Sequence, residues 1–208
     1  MALNDCTLAN LRRLGRADLP ADTAELARYL IGKVLVHESP DGTAAGRIVE
    51  TEAYPVGDSS SHAYRGETAR NAAMFLERGH AYVYLIYGRL YCLNVASEGP
   101  GVGAAVLLRA LEPLAGLDLM AARRGTDRVL TLARGPGRLT AALGIDLRHD
   151  GLDLCSEGKL WLGAGDHPTS GIGCSARIGL TRERERLLRY FEVGSPYVSG
   201  PKWLNSCP

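Results

Sequence analysis

Several things are scarce in this 208-residue chain, and each scarcity excludes a class of function. The five cysteines, Cys6, Cys92, Cys155, Cys174 and Cys207, are odd in number and scattered, with no Cys-x-x-Cys pair. Neither a disulfide framework nor a zinc site is expected, and the thiols read as reduced and structural. The five histidines, His37, His62, His80, His149 and His167, show no His-x-x-x-His or Glu-x-x-His spacing, so no catalytic metal and no other cofactor is expected. No run approaches the roughly 20 apolar residues that span a bilayer, and the opening Met-Ala-Leu-Asn-Asp-Cys has neither the basic nor the apolar part of a leader. The expectation is a cytoplasmic protein with no membrane partner. Lysine is scarce as well: Lys33, Lys159 and Lys202 are the only three among 24 basic side chains, which leaves few amine nucleophiles.

Enough apolar material is present for a sizeable core, at 46% hydrophobic residues, and no Ser/Gly or Pro-rich linker divides the chain. Residues 1–208 therefore read as one domain, with 1–20 as a candidate flexible segment. A net charge of +1 argues against a protein that coats nucleic acid, but distribution matters more than the sum. Five arginines fall between Arg177 and Arg189 and five more between Arg123 and Arg138. Either cluster could grip a duplex, and a solvated charged surface explains either equally well.

Asp22-Thr-Ala-Glu-Leu-Ala-Arg-Tyr-Leu-Ile predicts a short amphipathic helix. Lys33–His37 and Ala45–Tyr54, joined by Ser-Pro-Asp-Gly-Thr, predict a hairpin. In the second strand Glu50, Glu52 and Tyr54 share a face, and pattern alone does not choose between the two glutamates. Ala81–Tyr87 and Leu90–Ala96 read as a second hairpin with a two-residue Gly88-Arg89 turn and an aromatic, Tyr87, at its tip. Val106–Leu111 reads as a strand, Glu112–Arg124 as a helix, Gly135–Gly144 as a loop feeding a helix, and Arg189–Ser199 as one or two strands. Gly99-Pro-Gly-Val-Gly-Ala matches a dinucleotide fingerprint, but it precedes a strand rather than a helix and reads as a turn. The fold class expected is α+β, with a mainly antiparallel curved β-sheet, flanking helices and a protruding β-hairpin.

Glu52, Tyr54, Tyr84, Tyr87, Asn94 and Arg109 thus lie inside or beside segments that otherwise read as buried strands. Burying a carboxylate or guanidinium without a partner costs several kcal/mol. A carboxylate, an arginine and aromatics in one block point to a pocket. At these residues the sequence resembles the alkyladenine (3-methyladenine) DNA glycosylase family. The resemblance rests on Gly46-Arg-Ile-Val-Glu-Thr-Glu-Ala-Tyr54, His62, Arg70-Asn71, Tyr82-Val-Tyr-x-Ile-Tyr-Gly88, Asn94, Leu107-Leu-Arg-Ala-Leu-Glu-Pro-Leu114, Gly135-Pro136 and Gly194-Ser-Pro-x-Val-Ser199.

The resemblance implies a single mixed α/β domain that acts as a monomer on double-stranded DNA containing a damaged purine. It implies Glu52 as general base and Arg109 as the residue that helps hold the attacking water. Tyr54, His62 and Tyr84 would wall the pocket for a flipped base. Asn94 would crowd the exocyclic amino group of guanine, and Leu107 and the backbone of Ile178 would complete the site. Tyr87 would fill the gap left in the duplex, while Arg70, Arg89 and Arg138 are candidates for phosphate contacts. A base inside a duplex must be extruded before chemistry, which a wedge side chain and an aromatic pocket both assist. Hydrolysis of the N-glycosidic bond then needs a carboxylate to activate water, and Arg109 would keep that carboxylate ionised and oriented. The scarcity of lysine favours a monofunctional enzyme that does not cut the strand. Two other readings are an inert binding module of the same fold and a nucleotide-cofactor enzyme resting on the glycine-rich turn.

Overall fold

The computed structural model describes residue 8 and residues 10–165 and 170–205; Cys6, Cys207 and His167 lie outside them. Eight strands form one antiparallel sheet: β1 (Val34–Ser39), β2 (Gly42–Tyr54), β3 (Ala81–Ile86), β4 (Leu90–Ala96), β5 (Ala105–Ala115), β6 (Leu160–Gly163), β7 (Ile172–Ser175) and β8 (Arg189–Glu192). Their order is β3-β4-β5-β2-β1-β6, with β8 beside β2 and β7 beside β8. Three α-helices among the described residues, α1 (Thr23–Tyr29), α2 (Leu117–Arg124) and α3 (Pro136–Leu143), flank the sheet. The α+β class with a curled antiparallel sheet agrees with the sequence. Of the N-terminal stretch, Arg13 lies over the Trp161 ring and Leu14 and Leu19 are buried.

β2 is the hub. It pairs along one edge with β5, and along the other first with β1 and then with β8. Val49, Thr51 and Ala53 are buried with Glu50 and Glu52, because β2 is covered on both faces. Helix α1 covers one of them: Leu26 and Leu30 are fully buried, and Ala27 accepts the Thr51 hydroxyl at 2.8 Å. Asp22 caps that helix, accepting from the backbone N–H groups of Ala24 and Glu25.

Two local expectations are corrected. The strand beginning at Ala105 does not stop before Glu112 but continues to Ala115, because Glu112 pairs with Arg47 across the sheet and Pro113 sits where the β2 register slips. The chain then turns at Gly116, φ +70°, packed so tightly on Thr43 and Ala44 that a side chain would collide. The β3–β4 connection is a three-residue loop, not two: Ile86 pairs with Leu90, and Tyr87 (φ +49°) and Gly88 (φ +69°) both take the left-handed conformation. Ala72–Phe75 form a short 3-10 turn.

Away from β2, the imidazoles of His37 and His149 meet with Nε2 atoms 3.2 Å apart. His37 Nδ1 donates to the Leu143 carbonyl at 2.7 Å, and the Asp146 N–H donates to His149 Nδ1 at 3.1 Å, so both rings are satisfied when neutral. Burial pushes the His37 pKa below its ordinary 6.5; His149 and Arg123 lower it further, against the Leu143 carbonyl and Asp146. The unfolded chain therefore takes up this proton first, and the stability due to neutral His37 is complete above pH 6.5 and is lost as pH falls below that value. Urea midpoints measured from pH 7.5 to 5 should fall more steeply for the wild type than for His37→Gln; parallel slopes would show that His37 does not titrate there.

Candidate active site

One lateral row of the sheet carries most of the site. Reading across β3, β4, β5, β2 and β8, the paired residues are Tyr82, Asn94, Leu107, Glu52 and Arg189. Directly opposed residues of antiparallel strands point to the same face. Two residues further along their strands, Tyr84, Arg109, Glu50 and Tyr54 join that face. Arg109 gains its reach from an irregularity: between Ile48↔Leu111 and Thr51↔Leu108 the register slips and recovers, with Glu50 opposite Ala110 and Arg109 unmatched. Bulges of this kind re-aim a side chain.

Both glutamates are 0% exposed, and their partners separate them. Glu50 Oε1 accepts from Arg109 Nε at 2.8 Å and Arg189 Nε at 2.7 Å, and its Oε2 accepts the Ser199 N–H at 2.7 Å. Burial alone would raise the Glu50 pKa, but Arg109, Arg189 and the Ser199 bond hold it below the usual carboxylate range. Glu52 Oε1 accepts the Ile178 N–H at 2.7 Å and sits 3.1 Å from Arg109 Nη1, whereas its Oε2 accepts the Tyr54 hydroxyl at 2.9 Å. An ionised carboxylate offers about four lone-pair directions. Ile178 and Arg109 crowd Oε1, so the direction left open lies on Oε2, next to Tyr54. Burial would lower the Arg109 pKa, but Glu52 and Glu50 outweigh it and drive it up. Tyr54 is likewise pushed up, by burial first and then by Glu52, which keeps it a hydrogen-bond donor.

Beside this carboxylate lies a cavity of about 110 Å³ lined by Tyr54, Ser60, Ser61, His62, Met74, Tyr82, Tyr84, Asn94 and Leu180. The His62 ring meets Tyr84 edge-on with centroids 4.6 Å apart, and its Nδ1 lies 2.9 Å from the Tyr82 hydroxyl. Tyr82 and Tyr84 stack at 5.3 Å. Burial, then Arg70, lowers the His62 pKa, and burial pushes Tyr82 up to about 12. His62 reaches the cavity because buried Asn71 staples its loop, donating to the carbonyls of His62 and Gly66 and accepting from Thr68. Asn94 donates to the Tyr82 carbonyl at 3.1 Å. Leu107 is buried between Asn94 and Glu52, and Ile178 meets Glu52 through its N–H; neither is among the lining residues.

The exposed candidates sit apart from this cluster. Tyr87 is 89% exposed at the tip of the β3–β4 hairpin, with Arg89 beside it. Arg138 is exposed in the first turn of α3, whose Gly137 packs against Leu90, the first residue of β4 after the hairpin's tip. Arg70 is exposed next to Asn71. The two arginine clusters do not form two continuous basic faces. Arg177 and Arg189 are buried, and Arg123, Arg124 and Arg134 hydrogen-bond to Ser39, Leu132 and Val198. Sequence reasoning missed Tyr82, Arg177 and Arg189 as members of the site. Only Tyr82 carried a signal, the parity it shares with Tyr84.

The model of the methylpurine-DNA glycosylase family matches residues 17–196. The chain belongs to this family. Among relatives it is 58% identical over 191 residues to a protein of Mesorhizobium japonicum, covering 92% of each chain. It is 55% identical to one of Paraburkholderia phytofirmans (93% and 91% covered) and 50% identical to one of the archaeon Methanoculleus marisnigri (86% and 94%). All three carry the name "Putative 3-methyladenine DNA glycosylase". Methylpurine-DNA glycosylases are hydrolases of N-glycosyl compounds that act on DNA, and no helix among the described residues is long and apolar enough to cross a membrane.

Removing one member of a buried ion pair leaves the other uncompensated and typically costs about 3–5 kcal/mol. Glu50→Gln should therefore lower the urea-derived unfolding free energy of this methylpurine-DNA glycosylase by about that amount. A loss below about 1 kcal/mol would mean that Arg109 and Arg189 find other partners.

Proposed function

We propose that the chain is a monofunctional glycosylase that flips an alkylated or deaminated purine, of the 3-methyladenine, 7-methylguanine and hypoxanthine class, out of duplex DNA and hydrolyses its N-glycosidic bond. The observation that carries this reading is the state of Glu52: a fully buried carboxylate held on Oε1 by Ile178 and Arg109, with an open direction on Oε2 beside an aromatic cavity. Water in that direction gives its proton to Oε2 while its oxygen attacks C1′. The C1′–N bond breaks, and the base leaves with the bonding electrons, which neutralises an alkylated, cationic base. The Glu52 charge also stabilises the positive sugar as it forms.

Glu50, held by two arginines and a backbone N–H, none of them from a residue that lines the cavity, supports the site without taking a proton. Tyr54, His62, Tyr84 and Asn94 receive the base, and the phenol and imidazole faces favour a cationic one by about 0.5–2 kcal/mol. Tyr87 enters the duplex where the base has left, with Arg70, Arg89 and Arg138 on nearby phosphates. None of the three lysines is among the residues lining the cavity, which supports hydrolysis without a Schiff base. One lesion needs one pocket, so the working unit is a monomer.

The test is base release from a duplex with a single hypoxanthine and from methylated genomic DNA. Glu52→Gln should lose about 10²–10⁴-fold or more in rate while binding lesion DNA nearly as well. Strand breaks should follow only after hot alkali; breaks without alkali would contradict the monofunctional reading. Retained lesion binding with no release by the wild type would favour an inert binding module. Tyr87→Ala should weaken lesion binding by about 1–3 kcal/mol, the worth of one aromatic–base stack, and unchanged affinity would return Tyr87 to a packing role.

A further inference from the structure

Arg177 lies against a wall of the cavity, and the reaction above does not use it. Its side chain is fully buried, and its guanidinium carbon lies 4.6 Å from the centroid of the Tyr54 ring. Nη1 donates to the Ala53 carbonyl at 2.9 Å and lies 2.6 Å from Oδ2 of buried Asp58. Asp58 also accepts the Ser60 N–H on Oδ1 and has Arg186 at 3.6 Å. Nε and Nη2 of Arg177 are buried without a hydrogen-bond partner. A guanidinium serving packing alone would be expected to satisfy those donors, as Arg189 does with five bonds. What the structure places against Arg177 is instead the electron-rich face of Tyr54.

Tyr54 lines the cavity and Arg177, over its ring, is not among the lining residues, an arrangement that leaves the opposite ring face for a base. A cation on one face of an aromatic ring draws its π electrons toward that side and weakens the hold of the other face on a second cation. Asp58 balances the charge overall, yet the guanidinium is the member of the pair against the ring. We propose that Arg177 is a specificity-determining residue, stacked behind Tyr54, which restrains the pocket's preference for cationic purines and thereby widens its use of neutral ones. This rests on the functional reading above.

The experiment compares kcat/KM for release of 7-methylguanine, a cationic base, with that for hypoxanthine, a neutral one, from otherwise identical duplexes. The paired substitution Arg177→Met with Asp58→Asn removes both charges together, so neither is left buried alone. Its ratio of cationic to neutral release should rise by about 3- to 10-fold over wild type. Arg177→Lys keeps the charge and should hold the ratio within about twofold, whatever both rates lose. An unchanged ratio in the paired variant, or a Lys variant whose ratio rises as the paired variant is expected to, overturns the proposal. The Lys arm stands alone should the paired variant fail to fold. Wild type that releases neither base overturns the functional reading and this proposal with it, whereas release of both with an unshifted ratio overturns the proposal alone.

Discussion

A buried chain of alternating charge, Arg189–Glu50–Arg109–Glu52, is the constraint around which the sheet is arranged. Each member is expensive to bury alone, and the chain is tolerable because charges alternate and lone pairs and donors are matched. Arg189 places all five of its donor bonds, and Glu50 is closed by the Ser199 N–H. These bonds tie β2, β5 and β8 to the segment 199–205. The chain ends at Glu52, and there a carboxylate oxygen meets the hydroxyl of Tyr54, a residue that lines the cavity. The carboxylate to which the proposed function assigns the chemistry is thus the terminus of the network, beside the cavity.

Much of this was legible in the sequence, for identifiable reasons. β2 could be read because β-branched residues surround Glu50 and Glu52, and polar groups inside such a run demand partners. The sequence could not choose between the glutamates, since both share one face; the choice needed Ser199 and Ile178, which lie far along the chain. Arg177 and Arg189 were hidden by their neighbours. In a stretch crowded with charge, arginine reads as surface, because charged residues are rarely fully buried. The bulge at Arg109 left no trace in pattern, and β6 and β7, four residues each, are too short to show a period.

The β3–β4 hairpin combines a firm base with a strained tip. Tyr82 and Asn94 are buried and paired at its root, and Leu90 packs on Gly137 of α3. At the tip Tyr87 adopts a left-handed backbone that disfavours a bulky side chain and leaves its ring almost wholly exposed. Strain and exposure together are costs to the folded protein alone. They become intelligible if the ring's partner is a base stack, because a stiff ribbon delivers a wedge with little further loss of entropy.

Tyr54 joins the two halves of the site. Its hydroxyl engages the Glu52 oxygen that keeps a free direction, and its ring is a wall of the cavity with Arg177 against it. Under the proposed function, base recognition and water activation would share this one side chain, with the following consequence. A base that stacks well on Tyr54 holds the ring, the held ring aims its hydroxyl, and the hydroxyl sets where on Oε2 a proton is received. A poorly stacked base leaves the same hydroxyl less well directed. Selection for the lesion then acts on the rate of the chemical step as well as on binding, as expected where binding interactions are realised most fully in the transition state.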